Sequence, residues 1–152
     1  MIQAEILART TAWAEAFVAP MPDGLDHLLS LASEDVRFAD PFNDVRGKPS
    51  LAAVLTHMVE TTEDPRFEIL DIAASDKAGY IRWRFAFKMK RRPKGPAWRF
   101  EGMSEILIGP DGLVTAHLDH WDSGPQLLAK LPGIGWINRR ILNALAITPP
   151  RT

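Results

Sequence analysis

Apolar positions along the chain fall into two periods. From Gln3 to Val18, residues Ile6, Leu7, Trp13, Ala14 and Phe17 recur at helical spacing until Pro20 and Pro22 stop the run. "DGLDHLLSLAS" reads as a second, short helix. "EDVRFADPF" reads as a short strand with Val36, Phe38 and Asp40 on one face and Pro41 at its end. Gly47 to Thr61 returns to helical spacing, with Pro49 in the first turn and Leu51, Val54, Leu55, Met58 and Val59 as its apolar stripe.

After Thr61 the period drops to two. "RFEILDIAASD", "AGYIRWRFAFKMK", "AWRFEGMSEILIG" and "GLVTAHLDHWD" are four strand-like runs separated by turn chemistry at "DKAG", "RRPKGP" and "PDG", which predicts a meander of long antiparallel strands. The second run alternates most clearly. Ile81, Trp83, Phe85, Phe87 and Met89 face one way, while Tyr80, Arg82, Arg84, Lys88 and Lys90 face the other. On its partner, Trp98, Phe100, Ser104, Ile106 and Ile108 share one parity; Arg99, Glu101 and Glu105 share the opposite one. One sheet face is therefore aromatic and the other ionic, with cross-strand partners for much of the basic run. The tail "SGPQLLAKLPGIGWINRRILNALAITPPRT" reads as two short amphipathic helical pieces broken at "PGIG" and ended by Pro149. Its apolar residues are expected to cover an end or edge of the sheet, or to meet another subunit. Helices, a short strand, a helix and then four strands make an α+β plan in which a curved antiparallel sheet wraps the N-terminal helices. A single domain over residues 1–152 is expected, with 124–148 as a C-terminal helical extension.

Composition narrows the chemistry. The net charge is −1, so nothing global draws the 152-residue chain to nucleic acid or to a membrane surface, and neither is expected as a partner. The exposed hairpin tip around "KRRPKGP" can attract an anion, but the aromatics that nucleic acid would stack on point inward. No cysteine is present, which removes disulfides, thiolate nucleophiles and thiolate metal ligands together. His27, His57, His117 and His120 lack metal-ligand spacing, and "PGIG" lacks the spacing of a phosphate-cradling glycine loop, so no metal or nucleotide cofactor is expected. The opening "MIQAEILARTTAWAEAF" is unlike a secretory signal, and no run reaches the ~20 apolar residues of a membrane span, so a cytoplasmic location is expected.

Candidate chemistry lies in two stretches. In "HLDHWD", strand alternation puts His117, Asp119 and Trp121 on one face. His117 and Asp119 are then about 7 Å apart by strand rise, able to cooperate through a substrate or a water. In "RFADPF", Asp40 shares a face with apolar residues, which calls for a partner or a task; a local turn role is the alternative. A carboxyl among aromatics is disfavoured in its charged form, which suits it to proton transfer. His57 reads as a helix residue near such a site.

The order of elements, with "RFADPF" leading through "RGKPSLAAVL", resembles the nuclear transport factor 2-like superfamily over about residues 5–123. Ketosteroid isomerases, SnoaL-type polyketide cyclases and limonene epoxide hydrolase belong to that superfamily. The resemblance implies a cone with a deep pocket between helices and concave sheet, in a homodimer built on the sheet's outer face. Asp40, in "ADPF", is similar to the general base of the ketosteroid isomerases. Asp119, in "HLDHWD", is similar to the last-strand aspartate of the epoxide hydrolases and cyclases. The isomerases' oxyanion donors are not matched: the first helix has no tyrosine, and Ser104 stands where they carry an aspartic acid. Trp83 and Phe85 stand where the epoxide hydrolase has its supporting Arg and second Asp. The expected site thus comprises Asp40, Asp119 and His117 as catalytic residues, and Phe42, Trp83, Phe85, Ser104 and Trp121 against the substrate. The expected activity is cofactor-free acid–base chemistry, of isomerase, cyclase or hydrolase type, on a hydrophobic oxygenated molecule. The alternative is a non-catalytic ligand-binding or assembly domain of the same fold.

Overall fold

The structure, a computed structural model, describes residues 1–92 and 94–146. Pro149, expected to end the last helix, and the final two residues of the expected extension lie outside the described residues. Two compact units are present, the first spanning Met1–Trp121 and the second beginning at Asp122.

In the first unit, α1 (Gln3–Val18) and α2 (Leu25–Ser30) are followed by β1 (Ala32–Ala39), β2 (Asp44–Arg46) and α3 (Lys48–Thr61). Four long strands complete it: β3 (Thr62–Ala74), β4 (Gly79–Met89), β5 (Trp98–Ile108) and β6 (Val114–His120). The six strands form one open sheet in the order β2-β1-β6-β5-β4-β3. The meander from β3 to β6 is antiparallel as expected, but β1 pairs with β6 in parallel, so the sheet is mixed. The parallel pairing follows from connectivity: β1 enters from the helices, and the β6 it meets is the last strand of the meander. Register shifts between Glu63 and Arg66 and between Ile69 and Asp71 bend β3, the kind of irregularity that curls a sheet.

α1 buries one face, Ile6, Thr10, Trp13, Ala14 and Ala16, which follows its helical period. Trp13 is completely buried, and truncating an indole at such a site costs about 3–5 kcal/mol. α1 approaches β4 closely at Gly79, where an added Cβ would lie 1.8 Å from Thr10 Oγ1. α3 buries Leu51 and Leu55.

β2 is absent from the sequence reading because three residues with charged ends carry no periodicity. Asp40 creates it: the carboxylate tightens the turn after β1, and the chain pairs back with Phe38 opposite Val45. Arg37 then holds Asp44 through two hydrogen bonds of 2.8 Å. That guanidinium keeps the Asp44 carboxyl below the usual carboxylate range.

The outer face is ionic as expected. Glu68, Arg84 and Glu101 stand directly opposite one another on β3, β4 and β5, and Arg84 bonds both carboxylates at 2.8 Å. The hydrogen bond to Glu101, and then the one to Glu68, raise the Arg84 pKa. Glu101 is held below the ordinary range chiefly by its hydrogen bond from Arg84, so its contribution to stability is present at neutral pH and is lost as acid protonates it.

The second unit contains α4 (Ser123–Gln126), one 3-10 turn (Leu128–Lys130) and α5 (Ile134–Leu145). The Asp122 side chain accepts from Gly124 N at 3.1 Å and caps α4. α5 carries Ile134, Ile137, Ile141 and Leu145 along one face, all exposed. Among the described residues, no helix is long and apolar enough to cross a membrane.

Because Thr10 occupies the space a Cβ would need, Gly79→Ala is expected to destabilise the protein by about 1–3 kcal/mol through overpacking. Urea denaturation of the two proteins checks this; an unchanged midpoint would contradict the close approach of α1 to β4.

Candidate active site

The concave face of the first unit carries aromatic side chains in a connected series. Phe67 stacks on Phe85 with centroids 4.1 Å apart, Phe85 on Phe87 at 4.8 Å, and Phe100 on Trp121 at 4.5 Å. Phe42, in the β1–β2 turn, meets Trp121 edge-on at 5.7 Å. Rings of this size on a bent surface leave space between themselves and α3. A cavity of about 590 Å³ results, lined on the helix side by Val54, Met58 and Thr61 and elsewhere mainly by those rings. Its volume is within the range of small-molecule sites.

Five side chains form a hydrogen-bonded chain deep in the concavity. The Trp13 indole N–H donates to His117 Nδ1 at 2.9 Å. His117 Nε2 lies 2.9 Å from Asp119 Oδ1. Ser104 donates its hydroxyl to that same oxygen at 2.5 Å, and the Trp83 indole donates to Ser104 Oγ at 2.8 Å. Strand register brings this about: Ser104 stands opposite Asp119, and Trp83 opposite Gly102. Gly102 is required there, since a Cβ would lie 2.6 Å from the Trp83 ring. His117 is buried beside Phe17 and Phe38, with ring centroids 4.8 and 5.2 Å away.

Asp119 therefore has two unlike oxygens. Oδ1 takes both hydrogen bonds. Oδ2 has no hydrogen-bond partner among the described residues. No unpartnered side-chain oxygen among them is buried, and Asp119 lines the cavity, so Oδ2 is the accessible one. A second cavity of about 20 Å³, the size of one water, adjoins Ser104, His117 and Asp119.

The residues singled out in the sequence take different places in the structure. His117 and Asp119 touch directly, because both side chains lean along the strand and close the gap between positions two apart. Phe42, Trp83, Phe85 and Trp121 line the large cavity. Ser104 is buried beneath it, its hydrogen committed to Asp119. Asp40 lines the cavity too, but its Oδ1 accepts from Phe42 N at 2.7 Å and Asn43 N at 2.6 Å, and the Asn43 side chain bridges both oxygens at 3.1 Å. His57 lines the cavity from an exposed position on α3. Trp13 escaped the sequence reading. A buried indole demands an acceptor, but the acceptor is 104 positions away. Among the described residues, no three His, Asp or Glu side chains converge to hold a metal ion.

An open, curved, six-stranded mixed sheet with N-terminal helices is the architecture of the nuclear transport factor 2-like proteins. The chain belongs to the SnoaL-like domain family, which it matches over residues 10–117. Comparison with curated proteins gives no match. Among solved structures, an epoxide hydrolase of the limonene epoxide hydrolase-like type from M. tuberculosis superposes with a TM-score of 0.65 at 16% identity, covering 95% of this chain and 98% of that one. A protein with a ketosteroid isomerase-like fold from Catenulispora acidiphila DSM 44928, solved with trimethylamine, gives 0.66 at 16% identity, covering 80% and 90%. A nuclear transport factor 2-like protein of unknown function from Exiguobacterium sp. 255-15 gives 0.64 at 15%, covering 75% and 98%. At these identities the likeness is one of fold.

The hydrogen bonds to Asp40 make a prediction about the turn. Asp40→Ala is expected to cost about 1–3 kcal/mol, because two backbone N–H groups lose their acceptor. Asp40→Asn, whose amide oxygen can still accept, should recover most of that in thermal denaturation. Equal losses in both variants would mean that the negative charge, not the turn geometry, matters.

Proposed function

We propose that this protein is a cofactor-free acid–base enzyme acting on a hydrophobic, oxygenated small molecule, with Asp119 as the proton acceptor. The observation that carries this reading is the asymmetry of one carboxylate: Oδ1 is held by His117 and Ser104, while Oδ2 remains accessible beside a largely apolar cavity. A carboxylate so placed can take a proton from a carbon next to a carbonyl, or from a water attacking an electrophilic carbon, and return it to the product. Isomerisation, cyclisation and hydration all reduce to these two transfers. His117 orients the acid–base group, since one ring nitrogen is bonded to Trp13 and the other to Asp119. The aromatic walls exclude water and recognise an apolar skeleton. The presence of an epoxide hydrolase among the proteins of this fold is consistent with such chemistry.

The rival reading is a binding domain without catalysis. It is favoured by the commitment of Asp40 to its turn and of the Ser104 hydrogen to Asp119, so that neither residue expected to assist Asp119 keeps its group free for a substrate.

A thermal-shift screen of steroids, terpene epoxides, aromatic polyketides and lactones comes first, since a selective ligand raises the melting temperature through linkage. Turnover of the stabilising class is then assayed. Asp119→Asn keeps an oxygen for the Oδ1 bonds while removing the proton acceptor, and is expected to bind the ligand yet lose about 10²–10⁴ in kcat. Stabilisation without turnover in the unmodified protein would favour the binding domain, and retained turnover in Asp119→Asn would remove Asp119 from the chemistry.

A further inference from the structure

We propose that Trp13 and Trp83 are positioning residues that set the direction of every hydrogen in the chain through Asp119, leaving Oδ2 as its open proton-accepting atom. The inference deepens the reading of Asp119 as the base and rests on it.

An indole nitrogen can only donate. At one end of the chain, Trp13 Nε1 lies 2.9 Å from His117 Nδ1, so that nitrogen presents its lone pair. A neutral imidazole then carries its hydrogen on Nε2, where Asp119 Oδ1 receives it at 2.9 Å. At the other end, Trp83 Nε1 donates to Ser104 Oγ at 2.8 Å and occupies one of its lone pairs. The single hydroxyl hydrogen lies along the 2.5 Å contact to the same Oδ1. Both arms run toward Asp119, and neither can reverse while its terminus is a donor without an acceptor. A tyrosine or serine at either end would permit both directions.

Burial keeps the arrangement in place. Trp13 is 0% exposed, Ser104 1%, His117 3% and Trp83 6%, so these groups lie away from bulk solvent. The rings of Phe17 and Phe38 flank the imidazole and offer it no alternative partner. Trp13 lines neither cavity, so it acts only through His117. Gly102 admits the Trp83 ring to the place from which its N–H reaches Ser104.

The test is spectroscopic and needs no substrate. In protein labelled with ¹⁵N at histidine and tryptophan, long-range proton–nitrogen correlation should show His117 with hydrogen on Nε2 and a bare Nδ1. A nitrogen–nitrogen coupling across the hydrogen bond should link Nδ1 to Trp13 Nε1. Trp13→Phe should abolish the coupling and shift the His117 Nδ1 resonance away from its native value, as that nitrogen loses the indole donor. Because Trp13 is a core residue, His117→Gln gives an independent variant. Its amide oxygen can accept from Trp13 and its amide N–H can donate to Asp119, so the Trp13 indole proton should keep its hydrogen-bonded shift; His117→Leu should move it. Once a turned-over compound is known, Trp13→Phe should lower kcat about tenfold or more with KM little changed.

Hydrogen on Nδ1 in the native protein, or no coupling to Trp13, would overturn the proposal. So would a Trp13 indole shift that is the same in His117→Gln and His117→Leu. The two readings fail separately: retained turnover in Asp119→Asn removes the base while leaving the hydrogen directions measurable, whereas a reversed tautomer removes the role of the indoles and leaves the base.

Discussion

A buried hydrogen bond between the indole of Trp13 and the imidazole of His117 joins the first helix to the last strand, and much of the first unit's arrangement serves it. For the two rings to meet, α1 must lie within the curve of the sheet. That needs the close approach over Gly79, the bend introduced along β3, and the parallel seat of β6 beside β1, which sets Phe38 against His117. Losing either partner would leave a polar group in the core without its hydrogen-bond partner. The bond therefore specifies a single docking of helix on sheet more sharply than apolar contact alone would.

The two faces of the same strands divide the labour. Outward, Glu68, Arg84 and Glu101 form a row in solvent, where such pairs contribute little to stability and more to solubility and register. Inward, Phe67, Phe85 and Phe87 stack in succession, Phe87 meets Phe100 edge-on, and Phe100 stacks on Trp121. Large flat rings keep their volume on the sheet surface instead of reaching across to α3, and this leaves the cavity open. The polar atoms of the inner face are gathered into one chain, so a mostly apolar interior tolerates a carboxylate, an imidazole and a hydroxyl together.

Much of this organisation was legible in the residues. The helical period from Gln3 to Val18 and the strand period from β3 to β6 needed no tertiary information, because each reports which side of an element is buried. His117 and Asp119 stood out for the same reason, as polar residues sharing the parity of a strand's inner face. Three features were not legible. β2 is too short to show a period, and it exists because Asp40 organises a turn. Ser104 read as a donor toward a ligand, whereas its register partner is Asp119. Trp13 looked like one more apolar residue on a helix.

What the sequence determined by itself is the local pattern: which segments are helix or strand, which strand face is aromatic and which ionic, and which polar residues stand among apolar ones. These follow from side-chain periodicity, a property of neighbouring residues. The tertiary structure alone decided which of those polar residues meet, which oxygen of Asp119 stays free, and that a tryptophan in the first helix serves a histidine in the last strand. Hydrogen bonds have a range of about 3 Å and a fixed direction, and only the folded chain brings donor and acceptor within it.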